Sequence, residues 1–211
     1  MVLLTSLLLP AILSCVKSTT EQLTDNLAKD PGLYGVAPRN DGTNIVYLVT
    51  FRRDVEQEIP QISNLRGLFY KGDMDKPLSS SFLRRILSLE MFDTLALGGV
   101  KLSTEDFDIL ASMSQRLKYL DLAATTVTDD VLVAITKHAP LLEHLCVLNC
   151  SSLTRGGIVT AVSHGKNLGS VLVSHGKLTE QDIADLERRK PGVVHEYTEE
   201  GYPSPVDRQK K

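Results

Sequence analysis

The sequence contains no tryptophan, and aromatic residues make up 5% of its 211 residues. That scarcity argues against an aromatic-lined small-molecule pocket or a base-stacking platform and fits a core of Leu, Ile and Val. A basic excess is missing too: the net charge is -3 and the pI is near 6.0. Nucleic acid is therefore not expected as the main partner, because phosphate binding needs a concentrated cationic surface. The basic groups Arg52-Arg53, Arg84-Arg85 and Arg188-Arg189-Lys190 are scattered among acids. Three cysteines, Cys15, Cys146 and Cys150, are too few for a disulfide framework. Gly-x-Ser-x-Gly, paired-carboxylate and dinucleotide-binding motifs are absent as well, so neither an enzyme nor a cofactor is expected. The opening MVLLTSLLLPAILSCV is apolar, but it is too short, and interrupted by Pro10, to span a membrane well.

What is present is a period. Segments beginning at Leu65, Phe92, Leu117, Leu142 and Leu168 are spaced 27, 25, 25 and 26 residues apart, inside the window of leucine-rich repeats. The clearest copy is LKYLDLAATTVTDDVLVAITKHAP, in which Leu117, Leu120 and Leu122 fit L-x-x-L-x-L, and Leu132 and Ile135 follow at helical spacing. The next copy, LEHLCVLNCSSLTRGGIVTAV, repeats the scheme with Leu142, Leu145, Val147, Cys150, Leu153 and Ile158. Alternating L-x-L predicts a short strand with its apolar residues facing one side. Ser103, Thr128, Thr154 and Thr179 stand where a helix should begin and are the predicted N-caps. Acids follow three of them: Glu105 and Asp106, Asp129 and Asp130, Glu180 and Asp182. Residues 45–51, IVYLVTF, read as an extra strand, and residues 193–197, VVHEY, as a closing one.

The stretch LDLAATTVTDDVLVAITKHAPLLEHLCVLNCSSLTRGGI resembles the cysteine-containing leucine-rich repeats of F-box proteins. Cys150 stands at that family's cysteine position, Thr128-Asp129 and Thr154 at its Thr-Asp position, and Ala139-Pro140 where Cys-Pro is usual. The likeness covers about residues 92–193 well and 65–91 more weakly. It implies an α/β leucine-rich-repeat solenoid, with parallel strands on the concave face and helices on the convex face. It also implies protein recognition, as an adaptor or substrate-recognition subunit of an F-box/cullin-type ubiquitin ligase, in the cytoplasm or nucleus. Leu9-Pro10-Ala11-Ile12-Leu13 resembles the Leu-Pro start of an F-box, but the later hydrophobic-Cys-x-x-Trp region is missing. A non-catalytic scaffold subunit is the alternative role. Extracellular repeats of this kind usually carry cysteine-rich caps, absent here, which favours a reducing compartment. A signal peptide or lipoprotein signal over residues 1–15 is the competing reading of the N-terminus; Ile12-Leu13-Ser14-Cys15 resembles a lipobox.

The expected organisation is a cap or divergent adaptor segment at 1–44, a solenoid at 45–197 and a disordered tail at 198–211. Strand alternation predicts three columns on the face away from the core. They are Phe69, Ala96, Asp121, Cys146 and Leu172; Gly67, Thr94, Tyr119, His144 and Ser170; and Lys71, Gly98, Ala123, Leu148 and Ser174. Phe69, Tyr119, Asp121, His144, Cys146 and Leu172 are the expected partner-binding residues, since interface centres combine apolar bodies with a few polar anchors. Cys146, Cys150 and nearby His144 do not predict zinc, because alternation sends the two thiols to opposite sides and no second ligand pair follows. The two Ser-His-Gly-Lys strings, at 163–166 and 174–177, lack the glycine pattern of a phosphate loop and read as turns.

Overall fold

Each apolar pair of the repeating unit becomes a short strand, and each Ser or Thr after it opens a helix. The structure is a computed structural model that describes residues 34–48, 59–61, 64–70 and 78–197. Strands form at Tyr34–Pro38 (β1), Asn44–Leu48 (β2), Leu65–Tyr70 (β3), Thr94–Ala96 (β4), Tyr119–Asp121 (β5), His144–Cys146 (β6), Ser170–Ser174 (β7) and Val194–Tyr197 (β8). Helices alternate with them at Ser80–Leu87 (α1), Thr104–Met113 (α2), Asp129–His138 (α3), Arg155–His164 (α4) and Glu180–Arg189 (α5). The protein is α/β. All eight strands join one sheet in sequence order; β2 to β8 run parallel, and β1 pairs antiparallel with β2.

The register follows the period. Leu68, Leu95, Leu120, Leu145 and Val171 are successive partners across β3 to β7, and each is at most 1% exposed. Leu97, Leu122, Val147 and Val173 form a second buried row on the same side. Opposite them the helices contribute Phe82, Leu83 and Ile86 from α1, Ile109 and Leu110 from α2, Leu132 and Ile135 from α3, and Ile158, Ala161 and Val162 from α4. Burying apolar area at about 25 cal/mol per Å² makes these two layers the main source of stability.

Helix starts obey their caps with one exception. Ser103 and Thr179 close full capping boxes with Asp106 and Asp182. Thr154 accepts from Gly157 N at 3.2 Å, but the third helical position of α4 is glycine and offers no acid. Asp129, from the start of α3, takes that place: its carboxylate accepts from Thr154 N at 2.9 Å and from Thr154 Oγ1 at 2.5 Å. Thr128 is the exception. It sits at the N-cap of α3 with extended backbone, yet its hydroxyl makes no capping bond. The third position there is Val131, which has no acceptor to reciprocate, and Asp129 faces the next helix instead.

Turns repeat as well. Gly99, Ala124 and Asn149, each 25 residues from the next, all adopt left-handed backbone after their strands. Cys150, 1% exposed, directs its thiol to the Leu122 carbonyl at 3.1 Å, satisfying a loop oxygen of the preceding unit. At the other helix ends, Arg116 donates to the carbonyls of Leu87 and Ser88 at 3.2 Å each, and Lys190 Nζ donates to Val162 O at 3.0 Å and to Gly165 O. Thus the basic run after α5 serves the end of α4 as well as its own helix. The two Ser-His-Gly-Lys strings fall at the end of α4 and in the turn after β7.

Upstream, the sheet begins before the expected solenoid start at residue 45. Strand β1 and the first residue of β2 lie within the 1–44 segment and join the same sheet, through a turn at Arg39–Gly42 where Gly42 has φ +77. The candidate signal peptide, lipobox and F-box segment lie outside the described residues, as do residues 49–58 with Arg52-Arg53, Lys71, and the 198–211 tail. Among the described residues no helix is long and apolar enough to cross a membrane.

Candidate interaction surface on the sheet

Inward Leu120 forces its neighbours Tyr119 and Asp121 to the opposite face, and the same alternation applies to the register partners from β3 to β7. Parallel register then aligns them. Thr94 pairs with Tyr119, Tyr119 with His144 and His144 with Ser170; Phe69 pairs with Ala96, Ala96 with Asp121, Asp121 with Cys146 and Cys146 with Leu172. These pairs form the first two expected columns.

The side chains on this outer face do more than align. Phe69 and Tyr119 are two strands apart, yet their rings sit 5.8 Å from one another, because intervening β4 presents only Thr94 and Ala96. Tyr119 in turn meets the His144 ring at 6.4 Å. At the other end Phe69 stacks on Tyr47 of β2 at 5.1 Å with the planes 18° apart. A run of rings therefore crosses the face from β2 to β6. Tyr47 was not in the expected set; the alternation of Ile45, Val46 and Tyr47 was the signal that could have added it. The end of the same face holds His195, the register partner of Leu172.

Asp121 and Cys146 form a second group. Asp121 Oδ1 accepts from Ala123 N at 2.8 Å, and Cys146 is its register partner on β6. Burial pushes the Asp121 carboxyl above its ordinary range, with the hydrogen bond from Ala123 opposing the shift. Burial pushes the Cys146 thiol up as well, and the neighbouring Asp121 charge adds to it. A thiol so disfavoured as thiolate is no nucleophile. Cys146 is 3% exposed, sheltered between its register partners, so it serves as floor of the surface rather than as a contact point. His144 is held below its ordinary range, first by burial and further by His195, against the pull of Glu143. Leu172 is partly buried beside Cys146, away from the ring run.

Cys146 and Cys150 are free thiols on opposite sides of the chain, and no group of three or more His, Cys, Asp or Glu among the described residues is arranged to hold a metal. This face presents the rings of Tyr47, Phe69 and Tyr119, the imidazoles of His144 and His195, the Asp121 carboxyl group and small residues between them.

No protein-family model and no curated protein matches the chain. Among solved structures, the crystal structure of a protein from Bacteroides fragilis is similar, at 19% sequence identity and a TM-score of 0.43. The match covers 64% of this chain, and the chain spans 43% of that one.

Proposed function

We propose that the chain is a leucine-rich-repeat solenoid of the cysteine-containing type whose outer, concave sheet face recognises another protein. The observation that carries the reading is the ring run from Tyr47 through Phe69 and Tyr119 to His144, flanked by Asp121. Interface centres are enriched in such rings, which bring large contact area at a small entropic cost. The solenoid form is supported by the near-constant spacing of register partners, and the subfamily by the Cys150 thiol bonding a carbonyl of the unit before it. Within this reading, the resemblance to F-box proteins narrows the role to substrate recognition for a cullin-type ubiquitin ligase in the cytoplasm or nucleus.

A Tyr119→Ala, Asp121→Ala, His144→Ala triple variant tests the surface. None of the three is in the core, so the variant should melt close to the parent but lose the proteins that co-purify with it. Retention of those proteins sinks the surface assignment. Recovery of a cullin adaptor with the full chain supports the narrower role; a partner set with no ligase component refutes it.

A further inference from the structure

Several acids among the described residues are met by a cation or by more than one donor. Asp93 is met by Arg66 at 2.8 Å, Asp182 by its cap and by Arg155 at 3.3 Å, and Asp106, 1% exposed, by Ser103 and Ser80. Asp121 is partly buried in the middle of the outer face, and among the described residues it accepts a hydrogen bond from the Ala123 amide and forms no ion pair. A sheltered carboxylate without a countercharge costs stability.

The surroundings are shaped around that carboxylate. Its neighbours on the preceding strand and turn are Ala96 and Gly98, and a Cβ added at Gly98 would stand 3.7 Å from one carboxylate oxygen and 3.8 Å from the other. Any longer side chain there would roof the group. Ala123 follows on the other side, while Tyr119, two residues before on the same strand, and the Phe69 ring beyond Ala96 form an aromatic rim. Small walls, an acidic floor and an aromatic rim are the elements that receive a cation on an alkyl stem: the charge meets the carboxylate, and the rings attract both the charge and the stem.

We propose that Asp121, with the rim of Tyr119 and Phe69, is a receptor for an arginine or lysine side chain presented by the protein partner. The inference rests on the outer-face reading above and names the chemistry of what that face holds. The partner's cation supplies a countercharge that the described residues do not, so a group that weakens the fold alone becomes an attachment point in the complex.

The test uses the full chain and a displayed random-peptide library as probe. Peptides returned by the parent should carry Arg or Lys beside an apolar residue. A synthetic copy of the best one should bind Asp121→Asn about tenfold or more weakly, and replacing its Arg or Lys by Gln should cause the same loss without adding to it. Asn keeps the acceptor for Ala123 N, so Asp121→Asn should melt at or above the parent at neutral pH; a clear drop would assign the carboxylate to the turn and overturn the inference. Equal binding to parent and Asp121→Asn, or a library that returns no Arg- or Lys-bearing binder, overturns it too. Binding retained by Asp121→Asn but lost by Tyr119→Ala leaves the interface reading standing, whereas binding retained by both variants removes both.

Discussion

Gly157 and Gly156 are adjacent glycines in the first turn of α4, and alanine should act on them with opposite sign. Replacing a helical glycine by alanine usually stabilises by about 0.5–1 kcal/mol, through the lost freedom of the unfolded chain. At Gly156 the new Cβ meets only Thr154 Oγ1, at 3.8 Å, so the usual gain should appear. At Gly157 the new Cβ lands on the Asp129 carboxylate that caps α4 from the preceding unit. Asp129 must swing away and give up its bonds to Thr154 N and Oγ1. Each is a charge-assisted bond open to solvent, worth about 1 kcal/mol. Losing both outweighs the glycine gain, so Gly157→Ala should be less stable than the parent by about 1 kcal/mol, read from urea midpoints at constant slope. Asp129→Ala alone should lose the same bonds. In that background the carboxylate is gone and only the Cβ of residue 129, 2.6 Å from the new one, remains in the way, so Gly157→Ala should cost less than it does in the parent, a coupling that a double-mutant cycle exposes. If Gly157→Ala stabilises the parent as much as Gly156→Ala does, the cap between units contributes nothing and the reasoning fails.

Two further outcomes follow from the core and from the outer face. Leu120, 0% exposed and in register with Leu95 and Leu145, should cost about 2–5 kcal/mol when cut to alanine, and an unchanged melting curve would refute the register. His144 has a folded pKa below 6.5, so as pH falls below 6.5 the unfolded state takes up its proton first and stability declines toward the folded pKa. His144→Gln should flatten that part of the stability-against-pH curve relative to the parent, and superimposable curves would show that the imidazole is not buried as described.

The strand rows were legible in the sequence because L-x-L alternation admits one register: Leu95, Leu120 and Leu145 cannot all reach the core in any other. The outer columns then came with them, Phe69 through Leu172 included. Contacts set by what neighbours leave empty were not legible. Phe69 reaches Tyr119 because Thr94 and Ala96 on the strand between are small, a relation among three separate units. Cys146 reads as an outward side chain and is nearly inaccessible, since its size lets flanking groups close over it. Thr128 and Thr154 both follow an apolar residue where a helix should begin, and Thr128 has the acids besides, yet Asp129 turns to the following helix and serves Thr154 instead. In the first hairpin β2 was announced by IVYLVTF, whereas β1 has no apolar period to announce it and is defined by its antiparallel pairing with β2.

The strand order, which nowhere departs from the order of the chain, has a consequence for how the molecule comes into being. Helix meets chiefly the next helix and strand the next strand, so little of the packing waits for a distant part of the polypeptide. A nascent chain leaving the ribosome can settle each new segment onto the one already in place, with a single growing edge exposed at any moment. Synthesis and assembly then advance in the same direction. Among the described residues the last edge laid down is β8, whose residues are all only partly buried, and local opening of that sheet should begin there.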